Sequence, residues 1–149
     1  MTSRALTDPE ITLCQSVFGA AIDYDRVTIF NRKWWPFQNR RVTMAPDGNL
    51  WFHPENDLFC DDFCGSATNI QALFIHEMVH VWQHQQGIFL PLARHPFCRY
   101  DYELRPGKAF TKYGIEQQAE ITSHYFLLKN GVKLRNGHSI ADYEAILPF

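Results

Sequence analysis

Two histidines and a glutamate form the pattern H-E-x-x-H at His76, Glu77 and His80. If this segment is helical, His76 and His80 stand one turn apart on the same face, because a helix has 3.6 residues per turn. Two neutral imidazoles and one further ligand leave a zinc ion with an open position for water, whose pKa the metal lowers to roughly 7. Glu77 lies beside such an ion and can take the proton of that water. The pattern therefore predicts a zinc site at which Glu77 is the general base of a hydrolysis.

The surroundings of the motif favour a functional site over a chance match. On a helical projection, most of the circumference of residues 70–82 is apolar. The remaining sector contains one apolar side chain, Leu73, and six polar ones: Asn69, His76, Glu77, His80, Gln83 and His84. The alternative is a core helix whose histidines bond to backbone carbonyls. Three histidines and a glutamate in one narrow polar sector favour a metal site.

A third ligand is required, and a later helix offers two carboxylates. Glu116 lies 36 residues beyond His80, and Glu120 follows one turn later. We assign Glu116 as the ligand and Glu120 as the acceptor for the second N–H of a ligating histidine, since such outer contacts orient the imidazole. The swapped assignment stays open. Three other histidines also stay open as the third ligand, namely His84, His95 and His124. If neither glutamate binds metal, both lie on an exposed helix face.

Length and composition predict one ordered domain over residues 1–149. Hydrophobic residues make up 46% of the chain, which is more than a disordered chain contains. A formal net charge of −2 gives no electrostatic footprint for nucleic acid. No apolar run reaches the roughly 18 residues of a membrane span, and residues 1–8 do not resemble a signal peptide. We expect synthesis in the cytoplasm and no nucleic-acid or membrane partner. The oligomeric state stays open.

Three other stretches contain ligand-like residues in weaker patterns. Cys60 and Cys64 form a single C-x3-C pair, so we expect free thiols rather than a zinc site. Basic and aromatic residues alternate in residues 31–41. Such a loop can contact a protein or substrate, or fold its tryptophans onto a sheet. The acidic residues 53–65 lack the spacing of a calcium loop, which indicates a solvated loop.

Several elements must position these residues. Thr7 and Glu10 form a capping box that predicts a helix up to about Gly19. Residues 26–30 have the β-branched and aromatic content of a strand. Residues 41–44 and 49–53 flank a turn and predict a hairpin.

The motif helix and the glutamate helix have clear boundaries. The motif helix should begin at residues 67–69 and end at Gly87, and the second should span residues 114–130 before Gly131. A short helix at residues 139–147 should pack on the outside. The intervening residues are weakly patterned, and residues 87–106 could close over the metal.

The motif and the later glutamate together carry a family resemblance. His76 to His80, followed by Glu116-Gln117-Gln118-Ala119-Glu120, resembles the gluzincin arrangement of zincin metallopeptidases. The E-x-x-A pattern is similar to the glutamate helix of peptidases that clear phage repressors, which favours Glu116 over Glu120. The resemblance implies zinc, a peptide or protein substrate, and an α+β fold with a small twisted antiparallel or mixed sheet packed on the motif helix. It also implies that the strand at residues 49–53 borders the cleft and pairs with substrate.

A second resemblance covers almost the whole chain and is to bacterial proteins named Vgr-related. It is carried by short stretches, namely residues 23–24, 32–38, 52–54, 75–83, 100–102 and 113–121. The name implies a link to type VI secretion or Rhs loci, secretion-system partners and export without a signal peptide.

Two functions are compatible with these resemblances. The first is a zinc-dependent peptidase. The second is a non-catalytic zinc-binding structural or adaptor domain of a secretion system. The donor that would stabilise an oxyanion stays open among four side chains: Tyr100, Tyr113, His124 and Tyr125.

Overall fold

The computed structural model describes residues 2–93 and 98–149. Five α-helices lie in this part of the chain: α1 Asp8–Phe18, α2 Thr68–Gln85, α3 Leu90–Ala93, α4 Ile115–Lys129 and α5 Ile140–Glu144. Its sheet has three short strands: β1 Ser3–Ala5, β2 Thr28–Phe30 and β3 Leu50–Trp51. The fold is therefore α+β with a small mixed sheet.

Strand β2 lies in the middle of the sheet. It pairs antiparallel with β1 and parallel with β3. The strand expected at residues 26–30 is confirmed as β2, but no pattern predicted β1.

The hairpin expected from residues 41–44 and 49–53 is reduced to one antiparallel bridge, between Met44 and Trp51. The amide of Gln38 supplies the physical reason. Its Nε2 donates to the carbonyls of Val42 (2.9 Å) and Trp51 (3.2 Å). The Val42 carbonyl therefore faces the preceding loop rather than a partner strand, and the ladder does not extend beyond Met44.

Helix α1 begins with the predicted capping box. Thr7 accepts a hydrogen bond from the Glu10 amide, and the Glu10 carboxylate accepts one from the Thr7 amide. The same buried carboxylate pairs with Arg4 on β1 at 2.8 Å and accepts from the Phe63 amide at 2.9 Å. Glu10 therefore joins α1, the sheet and the loop that precedes α2.

Helix α2 runs through the core. Its bounds confirm the predicted motif helix, and Gly87 just beyond it has a φ of 92°. It packs against α4, β3 and residues 63–65, and its fully buried apolar side chains are Phe74, Ile75, Met78, Val79 and Val81. Burial on so many sides fixes the rotation of α2 about its axis, so the direction of its polar sector is also fixed.

Helix α4 packs along α2 and matches the predicted second helix. Ser123 Oγ donates to the Ala72 carbonyl at 3.0 Å and links the two helices. Helix α5 differs from the prediction because it is shorter than residues 139–147 and does not pack only on the outside. Tyr143 of α5 is fully buried beside α4. Its hydroxyl can be buried because it hydrogen-bonds to the Tyr102 hydroxyl and accepts from the Asn136 amide.

Within the described residues, no helix combines the length and apolar character that a membrane span requires.

Candidate metal centre

Three side chains from two helices converge at one point in the core. His76 and His80 lie one turn apart on α2, and Glu116 lies in the first turn of α4. His80 Nε2 is 2.6 Å from Glu116 Oε1, and His76 Nε2 is 3.7 Å from Glu116 Oε2. One possible ligand atom from each residue lies within 4.8 Å of the other two. The structure thus brings together the three residues that the sequence suggested as ligands, and metal binding itself stays a prediction.

The buried position of this triad fits a metal ion. The exposed fractions of His76, His80 and Glu116 are 7%, 6% and 1%. Within the described part of the chain, Glu116 Oε1 has no hydrogen bond of good geometry, although His80 Nε2 lies close to it. A buried carboxylate oxygen without a donor is costly, and a cation would satisfy it. Two imidazole nitrogens and one carboxylate oxygen are also the ligand set of one class of catalytic zinc site.

A chain of amides orients the ring of His80. The Gln83 amide group donates to the Ile115 carbonyl (3.0 Å) and to Gln118 Oε1 (2.9 Å). Its oxygen Oε1 therefore faces His80 Nδ1, at 2.8 Å. Because that oxygen can only accept, Nδ1 of His80 is the donor in this contact, and Nε2 is the ring atom that faces Glu116.

A carboxylate orients the ring of His76. Glu120 Oε1 lies 3.1 Å from His76 Nδ1, and Glu120 Oε2 lies 3.2 Å from His124 Nε2. Glu120 thus occupies the outer position that the sequence assigned to it, next to the triad and outside it. This is the arrangement in which an outer partner fixes the tautomer of a ligating histidine.

Mutual contacts shift the pKa values of the acidic and basic groups in opposite directions. Burial alone would lower the pKa of His76, but the carboxylates of Glu116 and Glu120 outweigh burial and raise it to about 10. Burial alone would raise the pKa of Glu116, yet His76 and His80 hold it well below its usual range. His124 and His76 lower the pKa of Glu120 to about 2. Without metal, a protonated His76 therefore lies between the carboxylates of Glu116 and Glu120.

Two of the three alternative third ligands, His84 and His124, do not join the triad. His84 packs against Gly48, where an added Cβ would lie only 2.7 Å from the ring. His124 contacts Glu120 and the Tyr102 hydroxyl. His95 lies outside the described residues.

Sequence and structure comparisons identify the relatives of this chain. It is similar to the solved effector domain of Pseudomonas aeruginosa VgrG2b, with a TM-score of 0.78 and 35% sequence identity over 95% of this chain and 80% of that one. The chain belongs to the VgrG2b effector-domain family. It is also 42% identical, over 135 residues and 85% of its length, to the type VI secretion system spike protein VgrG2b of Pseudomonas aeruginosa. It spans only 13% of that protein. No family model matches the chain.

In this member of the VgrG2b effector-domain family, two cavities meet at His80 and Glu116, which line both. One is apolar and has a volume of about 320 Å³. The other, of about 230 Å³, has charged and polar walls. Glu77 is buried and lines the polar cavity together with His76, so the proposed general base lies on that side of the triad.

The segment that borders both cavities differs from the one that the zincin resemblance implied. Thr43 lines the polar cavity, and Met44 and Ala45 line the apolar one. The expected strand at residues 49–53 does not form this border. Its β3 part is paired on both sides, with β2 on one and with Met44 on the other.

Residues 87–106, which the sequence suggested as a cover, supply Leu90, Pro91 and Tyr100 to the cavity walls. Residues 94–97 lie outside the described part of the chain, and closure over the metal stays a prediction.

Two features of the site were not found from the sequence. Gln83 was placed in the polar sector of α2 without a role, although its position three residues after His80 puts it within reach of that ring. Tyr102 was not singled out, because its contact with His124 joins residues far apart in the chain.

Proposed function

We propose that this domain is a zinc-dependent peptidase with a zincin-like fold, and that it acts as an effector of a type VI secretion system. The observation that carries the peptidase part is the buried triad of His76, His80 and Glu116 with Glu77 in the adjoining cavity. The names of the relatives support the secretion part more directly, since one names a type VI secretion system, the other names an effector domain, and neither names a reaction.

The side chains around the triad have distinct roles in this proposal. Zinc held by His76, His80 and Glu116 would lower the pKa of water to roughly 7 and polarise a peptide carbonyl. Glu77 accepts the proton of the attacking water and passes it to the leaving nitrogen. Gln83 and Glu120 keep the two imidazoles in the tautomer whose Nε2 is free to bind a cation.

Tyr100 is the side chain that we assign to stabilise the developing oxyanion. It lines the cavity that contains Glu77, and its ring stacks near that of His76 with centroids 6.3 Å apart. The other three candidates, Tyr113, His124 and Tyr125, do not line that cavity.

A kinetic experiment tests this assignment. The variant Tyr100→Phe should lower kcat by about 10- to 1,000-fold, the range for loss of one oxyanion donor. It should leave the zinc content unchanged. A kcat equal to that of the wild type would remove Tyr100 from this role.

A second candidate function is a non-catalytic zinc-binding structural or adaptor domain of the secretion system. The observation that favours it is the relative's description as a spike protein. Glu77 argues against it, because a purely structural zinc site has no use for a general base beside an open position.

The variant Glu77→Gln separates the two functions. Zinc content is measured by mass spectrometry, and turnover is measured on a mixture of synthetic peptides. A peptidase should keep about one zinc per chain and lose cleavage. Absence of cleavage by the zinc-loaded wild type would leave the adaptor function, and absence of zinc from the wild type after equilibration with excess metal would overturn both.

A further inference from the structure

We infer that this site cleaves beside a large apolar residue of the substrate, whose side chain the cavity walled by Trp34, Trp35 and Met44 receives. The inference rests on the peptidase function proposed above and specifies its substrate class. The substrates would be peptides or unfolded protein segments with an aromatic or large aliphatic residue directly next to the scissile bond.

The cavity has the size and lining for one such side chain. Its volume of about 320 Å³ lies at the lower end of the roughly 300–1,000 Å³ of ligand pockets. His80 and Glu116 form one end of it, so a group bound there adjoins the proposed metal. Its remaining lining is apolar and consists of Trp34, Trp35, Met44, Ala45, Pro46, Leu90, Pro91 and Ile115.

The backbone that carries the two tryptophans is held in place before any ligand binds. Gln38 is buried, and its Oε1 accepts from the Trp34 amide at 2.8 Å. Its Nε2 donates to the carbonyls of Val42 and Trp51. One glutamine therefore ties the aromatic loop to the Met44–Trp51 bridge, and a wall that is already ordered costs less entropy on binding.

The edge beside the cavity can align an extended peptide. Met44 donates to the Trp51 carbonyl (3.1 Å) and accepts from the Trp51 amide (2.7 Å). Peptide groups in an extended segment point alternately to either side, so those of Thr43 and Ala45 face away from β3. A peptide added along this edge would pass from the polar cavity at Thr43 to the apolar one at Ala45, crossing at the triad.

Cleavage-site profiling tests the inference. The zinc-loaded wild type, Trp35→Ala and Phe37→Ala are incubated with a synthetic random peptide library, and the cleaved bonds are found by mass spectrometry. Phe37 is the control in the same loop, because it is 80% exposed and does not line the cavity. Its ring packs edge-on against that of Trp35, with centroids 5.5 Å apart, so this variant removes a neighbour of the wall and keeps the wall itself. We expect large apolar residues on one side of the cleaved bond. We also expect kcat/KM to fall by at least about tenfold when that residue is alanine. Trp35→Ala should remove this preference, and Phe37→Ala should keep it.

A binding measurement decides the inference without turnover. Zinc-loaded Glu77→Gln protein is titrated with a benzyl-bearing hydroxamate and with acetohydroxamate, followed by calorimetry. Tighter binding of the benzyl compound that is lost in Glu77→Gln/Trp35→Ala supports the cavity even if no peptide is cleaved. Absence of cleavage by the zinc-loaded wild type, together with this binding result, would overturn the peptidase function and leave the cavity assignment standing. Cleavage without an apolar preference, or equal affinities for the two hydroxamates, would overturn the cavity assignment and leave the peptidase function standing.

Discussion

The two histidines of the triad are oriented by partners of different chemistry. His80 is held by neutral amides, because Gln83 bonds to its Nδ1 and to Gln118. His76 is held by the carboxylate of Glu120, which is supported in turn by His124. Gln83 is fully buried, whereas 28% of the Glu120 side chain is exposed. The amide chain thus lies where an ionised side chain would be costly to bury, and the charged chain lies where solvent reaches it.

The charged chain, which is the series of hydrogen-bonded side chains that starts at Glu120 and His124, continues well beyond Glu120. Its hydrogen bonds can all be donated in one direction. Asn136 donates to the Tyr143 hydroxyl at 2.7 Å, and the Tyr143 and Tyr102 hydroxyls lie 2.6 Å apart. Tyr102 can donate to His124 Nδ1, which leaves His124 Nε2–H to donate to Glu120. Every proton in this chain then points toward the carboxylate. Helix α5 and the residues before it therefore help to keep Glu120 ionised.

Removing the carboxylate that both histidines share should have the largest effect. Glu116→Ala deletes one of the three proposed ligands, and we expect its zinc affinity to fall well beyond the ~10–100-fold that loss of an outer contact costs. Glu120→Ala is the matched variant, one turn further along α4, and should keep about one zinc per chain. Competition titration with a chelator gives both affinities. Zinc retained in Glu116→Ala and lost in Glu120→Ala would establish the swapped assignment.

Variants of the two groups that orient the histidines, Gln83→Ala and Glu120→Ala, should differ in stability more than in zinc affinity. Gln83→Ala leaves His80 Nδ1 and Gln118 Oε1 buried without partners, and each such group costs about 1–3 kcal/mol. Its metal-free free energy of unfolding should therefore fall by several kcal/mol. Glu120→Ala breaks the contacts of a carboxylate that is 28% exposed, and partly exposed charged contacts are worth about 0–1 kcal/mol each. Both variants should lose about 10–100-fold in zinc affinity. Urea unfolding of the metal-free proteins measures the first difference, and equal losses of stability would contradict it.

Sequence reasoning found the parts of this site that follow from helical geometry. His76 and His80 are one turn apart on α2, and Glu116 and Glu120 are one turn apart on α4, so each pair was visible from spacing alone. The boundaries of both helices were also predictable, because glycines follow them.

The parts that were missed depend on contacts between distant segments. Gln38 interrupts the expected hairpin through side-chain bonds that no periodicity reveals. Strand β1 pairs with β2 across α1, and the Tyr102 contact with His124 joins an irregular segment to α4. Local patterns therefore predicted which residues form the triad and which helices carry them. They could not predict the charged chain, which reaches from Glu120 to Tyr143 of α5.

A change at the far end of the charged chain should have a smaller effect. Tyr102→Phe removes the donor to His124 Nδ1 but keeps the ring and the direct contact between Glu120 and His76. We expect its zinc affinity to fall by less than about tenfold, below the effect of Glu120→Ala. Tyr125→Phe is a suitable control, because Tyr125 follows His124 on α4 and its ring contacts Lys129. Equal affinities of Tyr102→Phe and wild type would limit the chain to Glu120 and His124.

The protonation of His76 in the metal-free protein gives the most sensitive measure of the charged chain. Its pKa is raised to about 10, because two carboxylates outweigh the effect of burial. The ring is therefore an imidazolium at neutral pH, and zinc must displace its proton to bind, so apparent affinity should rise with pH. Glu120→Gln replaces a carboxylate by a neutral amide and should lower the pKa of His76. Tyr102→Phe leaves Glu120 charged and should lower it less. Ring-nitrogen NMR titrations of the metal-free proteins would follow these shifts. An unchanged His76 pKa in Glu120→Gln would mean that Glu116 and Glu77 hold the proton and that Glu120 only positions the ring.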